Sequence, residues 1–584
     1  MEIKYKAPQC ELWAFAIPIE YFERVLMMKK KNLSLLLTGL LVGMSAAAFA
    51  APSSNPVDAE FKKSGLNDSG VVANRAMEYM ERMRVARQIA EDKAKSASKV
   101  EQGKAADVDE QQATVTFTLK AIELDESKVL EKTKLEALKG EYLEKEIGVK
   151  DLYELVNKIN KLYLDEGYYT CRAVLPAQTI KGGVVKINLI EGTTNEIKVQ
   201  GNKYTKSNYI SKRMSLKQGR VDNINKLNED LLRFNASNDV QLRISMQAGS
   251  EPGTTDYIIS AYEPQNITWS IYSDNAGSDT SGEYRGGLFF NDRSLTGVRD
   301  ALSMNTMLSD GTKSFGLAYS RPMGHSGTKL NVQYSTNSVH ITDGPLEALN
   351  VRGHAYAASV GVSQPLVVTE KTRTEATLDY GQQNSKTDFS GIHWLDDTIK
   401  GVTAGYSLTN YGSTSIVYQK HSLNFGTHTD IEDKDKDFSL YQANDFYQKM
   451  YEHGQLLSVR LDGQVGFNNY LPSARQFYIG GAYSVRGYKE SLLGGDSGYS
   501  VGLEYSVPVT TDKSTNVFGF VDHGEVYGDS AFGDHVLTSM GVGVRAAFAK
   551  KINASLTLGC PLIRDINGTE VSKTRLHFMV SGQF

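Results

Sequence analysis

Gly495-Asp496-Ser497-Gly498 is the stretch of this chain that most resembles catalytic machinery, because in another setting its serine would be a nucleophile. Such a serine needs a histidine base held by an aspartate, and no histidine-bearing motif accompanies it. The tetrapeptide also runs directly into an alternating stretch, Tyr499, Val501, Leu503 and Tyr505, so it reads as a Gly-rich turn. There is no Gly-x-Ser-x-Gly elbow and no phosphate loop. The 10 histidines lack zinc-ligand spacing, and Cys10, Cys171 and Cys560 make neither a disulfide framework nor a metal set. The expectation is no enzyme: no catalytic residue, no cofactor and no metal.

Just upstream lies a different chemistry. Val485-Arg486-Gly487-Tyr488 puts one cation in a Gly-rich loop, and Phe520-Val521-Asp522-His523-Gly524 offers it a carboxylate. Arginine can make two parallel hydrogen bonds to a carboxylate, which lysine cannot reproduce. A buried arginine needs such a partner, because an unpaired buried charge is costly. Asp522 shares a strand face with Phe518 and Phe520. Glu504 faces inward by the alternation of its own strand and is a second candidate.

The elements that must position these residues are strands. From about 265 to 584 the pattern has period two: Met540, Val542 and Val544 alternate with Ser539, Gly541, Gly543 and Arg545, and Leu576, Phe578 and Val580 with Arg575, His577 and Ser581. Many such strands, apolar on one face and polar on the other, predict lipid outside and water inside. A sheet of that size in lipid must close, since open edges leave backbone groups unsatisfied. Sixteen candidate strands, at about 20 residues each with connections, suit membrane strands of roughly 9–11 residues. Short turns at 323–327, 367–370, 411–413, 451–453 and 549–551 alternate with longer loops at 342–352, 386–399, 428–436, 469–497 and 525–535. The 31 Tyr against 21 Phe suit aromatic girdles at the membrane edges.

Ahead of the barrel, two units of strand–helix–helix–strand–strand order are predicted over 113–192 and 193–264. A helix over 70–95 has a thin apolar stripe (Ala73, Ala76, Met77, Met80, Met83), which suits a wet environment rather than a core. Residues 96–112 read as a polar linker within an N-terminal segment 51–112. Residues 28–50 read as a secretory signal: Lys29, Lys30 and Lys31, an apolar stretch to Gly43, and Ala48-Phe49-Ala50 as the cleavage site. Residues 1–27 read as an upstream start-site extension. The formal charge of −4 gives no basic footprint for nucleic acid.

These residues resemble the outer-membrane transporters of two-partner secretion, the haemolysin secretion/activation family of the POTRA-bearing outer-membrane-assembly superfamily. The likeness rests on Arg172-Ala173-Val174-Leu175-Pro176, Gly249-Ser250-Glu251-Pro252-Gly253-Thr254, Ser273-Asp274-Asn275-Ala276-Gly277 and the two motifs around Arg486 and Asp522. It covers nearly the whole chain after the signal.

The resemblance implies a pore-plugging N-terminal helix, two periplasmic POTRA domains and a sixteen-stranded barrel in the outer membrane. It also implies that the Val-Arg-Gly-Tyr tip sits on the loop between strands eleven and twelve, folded back into the barrel. Val485, Arg486, Gly487, Tyr488, Asp522, Gly524 and Glu504 would then form a conformational lock. Tyr488 stands where the family more often has phenylalanine. The implied partner is an unfolded secreted exoprotein, an adhesin or haemolysin, threaded to the cell surface. Outer-membrane lipid surrounds the barrel, and periplasmic chaperones are compatible helpers. The alternative is an insertase of the same superfamily.

Overall fold

The computed structural model describes residues 64–94, 116–369, 371–467, 470–528, 535–549 and 551–584. The expected start-site extension, the signal and the linker over 96–112 lie outside the described residues. Helix α1 (Ser69–Ala94) lies within one residue of its predicted bounds.

In the first α+β unit, β1 (Thr116–Thr118) pairs with β3 (Glu146–Gly148). Strand β2 (Ala121–Leu124) runs parallel to β5 (Val184–Glu191), which also pairs with β4 (Cys171–Val174). Helix α2 (Lys132–Gly140) precedes α3 (Val149–Asp165). The latter buries Leu152, Leu155, Val156, Ile159 and Tyr163, the helical spacing of one core-facing stripe. Its first turn is tied by Asp151, whose carboxylate accepts the Gly148 N–H at 2.7 Å.

The second unit has β6 (Thr193–Gln200), α4 (Ser207–Ser211), α5 (Ile224–Ser237), β7 (Gln241–Ala248) and β8 (Thr254–Tyr262), with sheet order β6-β8-β7. Asn223 caps α5 by accepting the Lys226 N–H at 3.0 Å, and Ile224, Leu227, Leu231 and Phe234 are buried beneath it. The two units are joined by backbone: the Ile224 N–H donates to Gly167 O at 2.8 Å, and Asn223 Nδ2 donates to Glu166 O at 2.8 Å.

Sixteen antiparallel strands then close into a barrel. They begin with β9 (Ile267–Asp274), β10 (Arg285–Asp292), β11 (Ala301–Leu308), β12 (Thr312–Pro322), β13 (Lys329–His340) and β14 (Arg352–Val368). The longest follow: β15 (Thr372–Phe389), β16 (Ile392–Tyr411), β17 (Ser415–Thr429), β18 (Asp435–Met450) and β19 (Leu456–Gly466). A long loop carries β20 (Phe477–Ile479) and β21 (Leu493–Gly495). After it come β22 (Ser497–Pro508), β23 (Thr515–Tyr527), β24 (Val536–Phe548) and β25 (Ile552–Pro561). A small hairpin, β26 (Asp565–Ile566) with β27 (Thr569–Glu570), leads to β28 (Arg575–Gln583), which closes on β9.

Tyr505, Val517, Val521, Met540 and Val542 are exposed on the outside, while Ser500, Asp522 and Ser539 are fully buried inside. That is the alternation the sequence predicts. Among the described residues no helix is long and apolar enough to cross a membrane.

Three expected loops are shorter than predicted. Residues 386–399 are almost all strand, with β15 and β16 joined only through Ser390 and Gly391. Likewise, β17 and β18 reach into 428–436 from both sides, leaving only 430–434 between them, and β23 extends into 525–535. Polar cross-strand pairs carry these strands onward: Lys386 with Asp396 at 2.7 Å, Asn384 with Thr398 at 2.5 Å, and Thr427 with Asp437 at 2.8 Å. Such pairs stabilise a ladder in water, yet in sequence their polarity looks like a loop.

The second α+β unit is fastened to the end of the barrel that carries the turn between β10 and β11. Asp239 accepts from Arg293 at 3.2 Å and from Arg299 Nε at 2.8 Å, both in the turn between β10 and β11. In the same turn Ser294 Oγ donates to Tyr204 O at 2.9 Å, and the Gly297 carbonyl accepts the Lys206 N–H at 2.9 Å.

Candidate functional site: an arginine lock inside the barrel

The loop between β19 and β22, the eleventh and twelfth barrel strands, folds back inside. Its core is Ile479, Val485, Tyr488 and Leu493, buried together against Val526, Leu537 and Ile566. Burial of these side chains is what holds an otherwise Gly-rich loop against the wall.

Arg486 is the polar centre. Its Nε donates to Asp522 Oδ2 at 2.7 Å, its Nη2 to Asp522 Oδ1 at 2.9 Å, and its own backbone N–H to Oδ2 at 3.0 Å. Its Nη1 donates to Glu504 Oε2 at 2.7 Å. Both acids suggested by sequence therefore bind it at once. Glu504 in turn takes both terminal nitrogens of Arg545 on β24, so two arginines face two carboxylates. The Asp522 side chain is fully buried and that of Arg486 nearly so, where loss of either partner leaves an uncompensated charge.

Aromatic faces complete the cage. The Arg486 guanidinium lies 3.7 Å from the Phe520 ring centre, and that of Arg545 lies 4.1 Å from the Phe518 ring. Those rings lie over Gly541 and Gly543, their cross-strand partners. A Cβ at Gly541 would come 2.5 Å from the Phe520 ring, and one at Gly543 would come 2.3 Å from Phe518.

The neighbours of Arg486 are equally constrained. Val485 packs on Gly524, where an added Cβ would meet Val485 Cγ2 at 3.0 Å. Gly487 has φ +97°, a backbone region that favours glycine, and its N–H donates to His577 Nε2 at 2.9 Å. That bond requires Nε2 of His577 to be the unprotonated ring nitrogen. The Tyr488 hydroxyl lies 2.7 Å from Thr538 O and 2.8 Å from Ile563 O, and accepts the Ile563 N–H at 3.2 Å. Tyr488 is more than a substitute for phenylalanine, since its hydroxyl has partners of its own. Arg545 and His577 were legible only as inward-facing residues of their strands.

The same loop is held by α1 and by the barrel wall. Arg75 donates to Tyr478 O at 2.9 Å, Arg82 to Tyr483 O at 3.2 Å, and Arg460 to Ser484 O. Asn337 on β13 donates to Ser69 O at 2.8 Å, Gln383 on β15 to Gly70 O at 3.0 Å, and Lys420 on β17 to Glu81 at 2.9 Å. These partners are inward-facing, so α1 occupies the lumen. Its polar surface meets polar walls, which explains its thin apolar stripe. The Gly-Asp-Ser-Gly tetrapeptide spans the end of β21 and the start of β22. There Gln464 donates to Asp496 O at 3.0 Å, and Ser497 Oγ accepts the Gly466 N–H at 3.0 Å.

Residues 253–546, half of the chain, match the family model of the haemolysin secretion/activation protein ShlB/FhaC/HecB. The chain belongs to that family. Residues 117–192 match the ShlB-type POTRA domain. The heme/hemopexin transporter protein HuxB of Haemophilus influenzae is 23% identical over 461 residues, covering 74% of this chain and 80% of HuxB. The outer membrane transporter CdiB of Dickeya dadantii is 23% identical over 65% of this chain and 71% of CdiB.

Among solved structures, CdiB from Acinetobacter baumannii superposes with a TM-score of 0.60 at 20% identity, covering 88% of this chain and 99% of that one. BamA from Haemophilus ducreyi, lacking POTRA domains 1–3, gives 0.51 at 15% identity over 80% of this chain and all of that one. Membership makes this ShlB/FhaC/HecB-type chain an outer-membrane transporter of two-partner secretion, with its POTRA region in the periplasm. Transporters of this type act with a secreted exoprotein partner.

Proposed function

We propose that Val485, Arg486, Gly487, Tyr488, Asp522, Gly524 and Glu504 form the lock that holds the internal loop in the resting transporter. Helix α1 is its plug, and residues 193–264 are a second POTRA domain. An unfolded exoprotein of the adhesin or haemolysin class is captured in the periplasm and threaded through the barrel once plug and lock give way. No covalent step is assigned to any residue. The observation that carries this reading is the grip of Arg486 on Asp522, three hydrogen bonds on one buried carboxylate. A merely solvated loop arginine has no such cage.

The test is Arg486→Ala beside Arg486→Lys. Both should reach the outer membrane with the heat-modifiable gel migration of a folded barrel. Secretion of its exoprotein partner should fall at least tenfold for alanine and substantially for lysine, which cannot bridge two carboxylates in a plane. Undiminished secretion by the alanine variant would remove the lock assignment.

A further inference from the structure

Where the second α+β unit meets the barrel, a cleft of about 50 Å3 is lined by Tyr209, Arg213, Asp230, Arg233, His325 and Lys329, among others. Arg213 belongs to the segment after α4, Arg233 to α5, His325 to the turn after β12, and Lys329 to β13. Four separate segments thus bring four basic side chains to one small space.

Arg213 is held in place before any ligand arrives. Its guanidinium stacks 3.6 Å from the Tyr209 ring centre, its Nη1 donates to Tyr209 O at 3.1 Å, and its Nη2 donates to Gly324 O at 2.6 Å. Those partners are neutral. Among the described residues none of these four bases has a carboxylate within ion-pair distance. The lining acid, Asp230, accepts the Ser215 N–H at 2.7 Å, and nearby Asp239 is committed to Arg293 and Arg299. Asp230 keeps its negative charge, but the bases of the lining outnumber this one acid, so the cleft favours anions.

The strand register says which anion can reach it. Lys329 has the inward parity of Asn337, which touches α1 in the lumen, whereas Leu330, Val332 and Tyr334 take the lipid side. The cleft thus leads from the second α+β unit into the pore, away from the bilayer. We infer that it is a vestibule subsite for carboxylate side chains of the extended polypeptide as it passes into the pore. Each carboxylate meets Arg213 and Arg233 first and Lys329 last. The inference rests on the export reading above and adds the chemistry of the segment that is handed on.

The full-length transporter, in nanodiscs of zwitterionic lipid, is titrated into a fluorescein-labelled twelve-residue Gly/Ser peptide bearing four glutamates, and into its glutamine twin. Anisotropy should show the glutamate peptide binding at least tenfold tighter, with affinity falling as salt rises. The Arg213→Gln/Arg233→Gln double variant, and separately Lys329→Gln, should lose that preference, while Lys161→Gln in α3 keeps it. Folding of each variant is checked by heat-modifiable migration. Equal binding of the twins, or a preference untouched by both sets of variants, overturns the inference. So does loss of co-purifying phosphatidylglycerol in the double variant without loss of peptide preference, which would assign the charge to lipid. Because peptide binding is read on purified protein, the subsite can fail while Arg486→Ala still blocks secretion, and the reverse.

Discussion

Asp522 receives three hydrogen bonds from a single residue, Arg486, two from the guanidinium and one from the backbone N–H. Loop conformation and side-chain pairing are therefore set by the same carboxylate. Breaking a buried pair from one side costs about 3–5 kcal/mol. Asp522→Asn keeps the shape but removes the charge, so it should loosen the loop. Limited proteolysis of the folded protein should then cut within 470–496 at least tenfold faster than in the parent. An unchanged rate would mean that the hydrophobic cluster alone holds the loop.

Tyr488→Phe separates ring from hydroxyl. The ring stays buried, but the Ile563 amide loses its acceptor, at a cost of about 1–3 kcal/mol. Hydrogen exchange at the Ile563 amide should quicken, and secretion should fall less than in Arg486→Ala. Full activity with unchanged exchange would show that the hydroxyl contacts contribute nothing.

Removing residues 69–94 should raise single-channel conductance in planar bilayers several-fold, because α1 fills the lumen and is bonded to β13, β15 and β17. A double substitution, Asn337→Ala with Gln383→Ala, should give intermediate flickering openings. Parental conductance after the deletion would contradict the plug.

Asp222, at the junction of the two α+β units, is pushed up from 3.8 to about 6 by burial. Its partner there is the hydroxyl of Thr194. A carboxyl whose folded pKa is raised favours folding while protonated. Its contribution is complete below pH 3.8 and is lost as pH climbs through about 6. Protease resistance of residues 116–264 in the whole transporter should therefore be greater at pH 5 than at pH 7.5. Asp222→Asn should flatten that difference by raising resistance at pH 7.5; a persisting difference would point to another group.

Asp239→Asn should free the second α+β unit from the barrel turn carrying Arg293 and Arg299, since two guanidinium groups lose their shared charge. Spin labels at positions 217 and 324 should report a broadened distance distribution, with Asp239→Glu partly restoring the narrow one. No broadening would mean that the bonds made by the Lys206 N–H and the Tyr204 carbonyl suffice.

Period-two patterning and turn composition are local properties, and from them the sequence by itself determined the strand count, which residues face the lumen, and the order of helix, α+β units and barrel. The same parity placed Glu504, Asp522, Phe518 and Phe520 on one side of the wall. Local patterning failed at the tips of β15 to β18, where polar ladders in water imitate loops. Only the tertiary structure decided that Arg486 binds both acids rather than one, that Arg545 shares Glu504, that His577 receives the Gly487 amide, and that the Tyr488 hydroxyl has partners. Each of these contacts joins residues distant in sequence across a closed barrel. Their meeting depends on strand register, tilt and the depth to which the loop folds back, which arise from the packing of all sixteen strands together.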